Sequence, residues 1–320
     1  MTKLAFIFPG QGSQAIGMGK DLAEAFPAAR EVFRTVDEAL GQDLSGLMWG
    51  GDIEELTLTA NTQPALMAHS VAAMRALETE FGLSVTDAAL VAGHSLGEYS
   101  ALAAVGAISL ADTAKLLRIR GRAMQAAVAP GEGAMAALLG ASVEQAEAAC
   151  AEGNKTGGQC QIANDNAPGQ LVLSGDKAAV EAACDAAKAA GVKKAMMLNV
   201  SAPFHCSLMQ PAADAMAEAL AGTIIEAPRV PVVTNVLALA TSDVEVIRKG
   251  LVEQVTGRVR WTETIQYMAG QGVDTTGEAG SGKVLTVMQR RIEKSLKGFT
   301  LGTPDDLETF ANAMKETQNV

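Results

Sequence analysis

Hydrophobic positions in this chain alternate between short continuous runs and longer stretches with helical spacing. The run at 4–8 predicts a buried strand, and the run at 88–92 predicts another. Between them, 21–40 and 65–81 carry apolar residues at helical intervals and predict helices. Pro64 falls in the expected first turn of the second helix, where a missing N–H is tolerated. The alanine-rich stretch 98–107 and then 110–127 predict two more.

The texture changes near Ala129, where Pro130-Gly131-Glu132-Gly133 interrupts the pattern. A strand is predicted at 134–139, a helix at 143–152, strands at 161–164 and 170–174, a helix at 177–190 and a strand at 194–200. This β-α-β-β-α-β order is that of a ferredoxin-like unit, so 129–199 is expected to be a small domain inserted in a larger one. Its stretch from Asn164 to Gly169 carries turn chemistry and is a candidate rim for an active site. Further on, a strand is predicted at 230–234 and helices at 244–255, 262–271 and 287–296, with a polar, fraying end at 315–320.

The junction after the 88–92 run carries candidate chemistry. Gly93-His94-Ser95-Leu96-Gly97 passes straight into the helix-like stretch that begins at Glu98. A strand, a tight G-x-S-x-G turn and a helix form a nucleophile elbow, with glycines where a side chain would clash. Ser95 would project from the turn, and N–H groups at the helix start would face an oxyanion. The alternative is an ordinary strand-to-helix turn.

Three histidines compete as the base for such a serine: His69, His94 and His205. His205 lies in Ser201-Ala202-Pro203-Phe204-His205-Cys206, a loop directly after a predicted strand, and is favoured. His94 adjoins the nucleophile, so its side chain should point away. His69 sits in an apolar helix and reads as a packed histidine. Cys206 has no glycine elbow around it and reads as a bystander thiol.

On the predicted helix at 110–127, Arg118, Arg122 and Lys115 fall on the solvated side, whereas Arg120 falls at the apolar edge between Leu116 and Met124. A guanidinium there needs an anionic partner. That partner is either an internal carboxylate or the carboxylate of a substrate, and periodicity does not choose between them.

Two glycine-rich turns imitate other sites. Gly10-x-Gly12-x-x-Ala15 follows a strand as a dinucleotide fingerprint would, but the second strand with its acidic end is replaced by helical spacing. A turn bringing backbone N–H groups near a substrate oxygen is the better reading. Gly280-Ser281-Gly282-Lys283 misses the spacing of a phosphate loop.

Composition narrows the class. At 320 residues and 48% apolar the chain can bury a large core. A net charge of −11 argues against binding nucleic acid or an anionic membrane, and no run is long and apolar enough to span a bilayer. The N-terminus lacks a signal-peptide layout. Cys150, Cys160, Cys184 and Cys206 show neither C-x-x-C nor zinc spacing, so free thiols and a cytoplasmic location are expected.

Taken together, Pro9-Gly10-Gln11-Gly12-Ser13-Gln14, Gly93-His94-Ser95-Leu96-Gly97-Glu98, Arg120 and Ala202-Pro203-Phe204-His205 stand in the order and spacing of the malonyl-CoA:acyl carrier protein transacylases, which the chain resembles from Leu4 to about Leu296. The resemblance implies an α/β-hydrolase-like catalytic domain with a parallel sheet core at 1–128 and 200–320, and a ferredoxin-like small domain at 129–199. It implies Ser95 as nucleophile, His205 as base, the N–H groups of Gln11 and Leu96 as oxyanion hole, and Arg120 as clamp on the malonyl carboxylate. Gln254 matches the residue whose carbonyl orients the histidine. The implied partners are malonyl-CoA and acyl carrier protein, with no metal or other cofactor, and with the small domain closing over the elbow to exclude water. Gly280-Ser281-Gly282-Lys283 departs from the family's usual Gly-Pro-Gly-Lys, and Cys206 stands where a hydroxyl residue is common. Phe204 suggests little room for an α-methyl group. Two rivals are a serine hydrolase, for which no convincing acidic triad member is found between Ser95 and His205, and a binding module with a decayed site, for which one of the three key residues should be missing.

Overall fold

The computed structural model describes residues 2–318, as a mixed α/β fold with two sheets. The larger sheet has six strands in the order Lys297–Leu301, Thr275–Ala279, Leu4–Phe8, Leu90–Gly93, Val232–Val233 and Ala240–Thr241. Every neighbouring pair is parallel except the last. Leu4–Phe8 is buried along its whole length, as a central parallel strand covered on both faces must be. Helices Thr59–Phe81, Pro27–Leu40 and Leu110–Ala126 pack together beside it; a methyl on Gly121 would meet the Thr59 carbonyl oxygen at 2.6 Å, so a glycine is needed where these helices cross.

The smaller sheet runs in the order Lys194–Met197, Gly133–Leu139, Gln170–Asp176, Cys160–Ala167 and Val259–Arg260. Its first four strands are antiparallel and carry helices Val143–Asn154 and Lys177–Ala189, giving the β-α-β-β-α-β order expected from the sequence. The fifth strand comes from outside 129–199 and pairs in parallel, Asn164 with Val259 and Asp165 with Arg260.

Several elements differ from their sequence patterns. The helical stretch at 21–40 is two helices, Lys20–Ala25 and Pro27–Leu40, because Phe26 before a proline turns extended. The long helix starts at Thr59, so Pro64 lies inside it and not in its first turn. The side chains of Asn61 and Thr62 hold that early turn by donating to the Glu55 and Leu56 carbonyls. Asn164 to Ala167 belongs to a bulged strand, leaving only Pro168 and Gly169 between it and Gln170–Asp176. The expected strand at 194–200 stops at Met197, and the helix expected at 287–296 runs instead over Val284–Ile292. Residues 315–318 continue the helix Pro304–Gln318 where fraying was expected; 319–320 lie outside the described residues. Strands Thr275–Ala279 and Lys297–Leu301 went unrecognised. No helix among the described residues is long and apolar enough to cross a membrane.

The loops that carry Gln11, Ser95 and Asn235 leave the carboxyl ends of neighbouring parallel strands, where crevices form in α/β sheets. Leu4–Phe8 leads to Gln11, Leu90–Gly93 to Ser95, and Val232–Val233 to Asn235.

Candidate active site

Ser95 sits between the strand Leu90–Gly93 and the helix Gly97–Ala104 with φ of 54°. A left-handed serine is strained and persists only where its surroundings hold it. A Cβ on Gly93 would fall on the Gly97 carbonyl group, and one on Gly97 would press on the Phe8 carbonyl, so the turn closes only with glycine at both positions. The Ser95 N–H donates to Asn235 Oδ1 at 2.7 Å, and its carbonyl accepts from Gln254 Nε2 at 3.0 Å.

The structure brings Ser95, His205, Arg120 and Gln254 together. Ser95 Oγ lies 2.8 Å from His205 Nε2 and accepts from Arg120 Nη2 at 3.2 Å. His205 Nδ1 lies 2.9 Å from the Gln254 main-chain oxygen. A carbonyl only accepts, so Nδ1 carries the proton and Nε2 turns its lone pair to the serine. Burial, followed by the positive charge of Arg120, pushes His205 down to about 3, which keeps the ring neutral. His205 itself has φ of 59°, a second left-handed residue at the same spot.

Arg120 is 1% exposed and lies inside the helix packing, deeper than the apolar edge expected for it. Its Nη1 donates to Gln63 Oε1 at 2.9 Å and its Nη2 to Gln254 Oε1 at 2.8 Å, while Nε finds no partner among the described residues. The Tyr99 ring lies 5.7 Å from its Cζ. No carboxylate among the described residues stands at ion-pair distance from it. Of the two readings left open by periodicity, the direct internal ion pair is therefore not formed. The guanidinium instead faces a cavity of about 600 Å³ that Gln11, Ser95, Leu96, Arg120, Phe204 and His205 help to line.

Neither the Gln11 nor the Leu96 N–H donates to a protein acceptor among the described residues, and both residues border the cavity beside Ser95. His94 points away from the serine: its Nε2 meets Asn166 Oδ1 at 2.8 Å and its ring stands edge-on to Trp261. His69 is buried against the Gly302 carbonyl at 2.9 Å, and Cys206 is buried with its thiol donating to the Pro203 carbonyl. All four cysteines are free. No group of side chains among the described residues has the makings of a metal site.

Sequence reasoning missed Gln63, Asn235 and the role of Glu98 in the network. Gln63 and Asn235 are single polar residues without a motif, and Glu98 closes the serine motif without a role of its own there. The signal available was position: Glu98 is an acid in an otherwise apolar helix, and Asn235 follows directly on a predicted strand.

An acyl transferase domain family model matches residues 5–297. The chain is 46% identical over 304 residues to the malonyl CoA-acyl carrier protein transacylase of Escherichia coli K12, covering 95% of this chain and 97% of that one. It is 44% identical to the Bacillus subtilis 168 enzyme of the same name, with 99% and 98% covered. The acyl-carrier-protein-S-malonyltransferase structure from Bartonella henselae superposes with a TM-score of 0.95 at 54% identity, covering 98% of this chain and 100% of that one. A malonyl-transacylase solved in complex with a type II PKS acyl-carrier protein superposes at 0.94 with 44% identity, covering 98% and 100%. With glycine turn, serine, histidine and arginine converging in one cavity and this likeness running the length of the chain, the protein belongs to the malonyl CoA-acyl carrier protein transacylases of the acyl transferase domain family.

Proposed function

We propose that this protein moves a malonyl group from malonyl-CoA to the phosphopantetheine thiol of acyl carrier protein through a malonyl-serine intermediate, supplying fatty acid elongation. The observation that carries the mechanism is that one hydroxyl, Ser95 Oγ, is within reach of both a neutral imidazole and a guanidinium in the same cavity.

The reaction runs in two halves. Ser95 passes its proton to His205 Nε2 as Oγ attacks the thioester carbonyl carbon. The oxyanion that forms rests against the free N–H groups of Gln11 and Leu96. Collapse breaks the C–S bond, and coenzyme A leaves with the proton from His205. The carrier's thiol then gives its proton to His205, attacks the ester carbonyl, and collapse returns the hydroxyl to Ser95. Arg120 holds the malonyl carboxylate through its planar fork. A main-chain carbonyl in place of a carboxylate fixes the imidazole tautomer without adding negative charge behind it. One thioester replaces another, so the chemistry calls for no metal or redox cofactor.

The same reading takes 1–128 and 200–320 as an α/β-hydrolase-like catalytic domain and 129–199 as a ferredoxin-like small domain. The parallel sheet with its serine after a central strand and the β-α-β-β-α-β order support it. A cytoplasmic location is part of this proposal, supported by four free thiols.

Mass spectrometry of the intact protein after exposure to malonyl-CoA tests the function. The wild type should gain one malonyl group and lose it to added acyl carrier protein, and Ser95→Ala should gain none. Release of free malonate faster than transfer to the carrier would make the protein a hydrolase instead.

A further inference from the structure

Glu98 is 1% exposed, three residues beyond the nucleophile and without a part in the mechanism above. A single carboxylate oxygen, Oε2, accepts from the Asn235 N–H at 3.0 Å and from Gln254 Nε2 at 2.8 Å. Its other oxygen has no partner among the described residues. Burying a carboxylate for two neutral donors is costly, and the cost calls for a purpose beyond packing.

What the two donors do supplies one. The Asn235 side chain takes the Ser95 N–H, and its Nδ2 donates to the Gly93 carbonyl at 2.6 Å. The Gln254 side chain takes the Ser95 carbonyl. The peptide groups on both sides of a strained serine are thus gripped by two side-chain amides, and Glu98 Oε2 holds one of them directly, at Gln254 Nε2, and the other through the Asn235 main chain. The second grip also has a polarity. The Ser95 carbonyl accepts only, so the NH₂ end of the Gln254 amide must face it, with Glu98 Oε2 on the same side, and Oε1 must face Arg120. Reversing that amide would turn NH₂ onto a guanidinium.

We propose that Glu98 is a positioning residue that holds Ser95 in its reactive backbone conformation through Asn235 and Gln254, and aims Arg120 at the acyl carboxylate through the Gln254 amide. Gln254 then serves twice, its main chain holding His205 and its side chain linking Glu98 to Arg120. Burial lifts the Glu98 carboxyl to about 7, and the two donors oppose that rise, as expected for an acid kept for its acceptor oxygen. The inference rests on the acyl-transfer reading of the site.

Single-turnover acylation of Ser95 by malonyl-CoA and by acetyl-CoA, with thermal melting as a check on folding, tests it. Glu98→Gln keeps a carbonyl oxygen for both donors and should acylate within roughly threefold of wild type. Glu98→Ala should lower the malonyl rate by about 10²-fold, the scale of a small misplacement of reacting groups, and lower the malonyl-to-acetyl ratio by about tenfold. If Glu98→Ala fails to fold, Glu98→Asp, one methylene too short to meet both donors, carries the same expectation. A folded Glu98→Ala or Glu98→Asp with wild-type rate and ratio overturns the proposal, as does a Glu98→Gln enzyme as slow as Glu98→Ala. If the wild type itself is not acylated, it is the acyl-transfer reading that fails.

Discussion

Arg120 donates from Nη2 to the Ser95 hydroxyl oxygen at 3.2 Å, so the group proposed to hold the far end of the substrate touches the proposed nucleophile. An arriving carboxylate competes for this guanidinium, whose other partners, Gln63 and Gln254, are neutral amides. Arg120→Ala should therefore lower kcat/KM for malonyl-CoA by about 10²-fold, as loss of a charge-assisted pair implies, and change acetyl transfer by less than about tenfold. Steady-state kinetics with the two thioesters check this, and unchanged malonyl transfer would leave Arg120 a purely structural cation.

The pH dependence follows from His205. A general base works in its neutral form, and this ring is held down to about 3 from an ordinary 6.5. The acid limb of Ser95 acylation should lie well below pH 6.5. Arg120 is the second cause of the depression, so Arg120→Ala should move that limb upward toward 6.5. Acylation rates with acetyl-CoA between about pH 4 and about pH 8 check this: the wild type should stay flat across the range, and Arg120→Ala should fall off at its acid end.

Glu98 gives the opposite sign in stability. Its carboxyl is raised from 4.5 to about 7 in the folded protein. Its stabilising contribution is complete below pH 4.5 and disappears as the pH rises through about 7. Glu98→Gln, which cannot ionise, should gain in melting temperature relative to wild type as the buffer goes from pH 5.5 to pH 8.5, both values chosen to bracket that titration at roughly a pH unit or more. A constant difference between the two proteins would contradict the shift.

Gly93→Ala should destabilise the fold by about 3 kcal/mol or more, because the added methyl meets backbone and has no flexible side chain to displace. Denaturant unfolding measures the loss. A variant as stable as wild type would mean that the elbow can open without cost.

An acidic carrier would need a local basic surface to dock on this acidic chain. Lys193 with Lys194, and Lys283 with Arg290, Arg291 and Lys294, are exposed and supply two candidate clusters. Charge reversal at both should raise KM for the carrier several-fold, on the order of 1 kcal/mol, with little change in KM for malonyl-CoA. Equal changes in both constants would point to the shared cavity instead.

The serine turn was legible because its shape is tied to particular residues. Gly93 and Gly97 bracket Ser95 between an apolar run and an alanine-rich helix, and only one conformation suits that order. His205 was legible by scarcity, as one of three histidines and the one placed on a loop after a strand. Strand Thr275–Ala279 was not, since Thr-Thr-Gly-Glu-Ala carries no apolar run although all five residues are buried. Glu278 there is satisfied by the Leu285 and Thr286 N–H groups and the Thr286 hydroxyl, a fact of folding with no local trace. Arg120 illustrates the limit of periodicity. Its helix face could be counted, but its neutral partners, Gln63 and Gln254, come from helices elsewhere in the chain.

The pairing of Val259–Arg260 with the smaller sheet has a mechanical consequence. That short strand continues the segment whose Gln254 carbonyl anchors His205, and Thr262 just beyond it is hydrogen-bonded to Asp165 at 2.6 Å. A whole-sheet swing, of the kind a closing small domain would need, must either unzip this seam or tug the imidazole off its anchor. Any such opening is thereby geared to the site's readiness for chemistry.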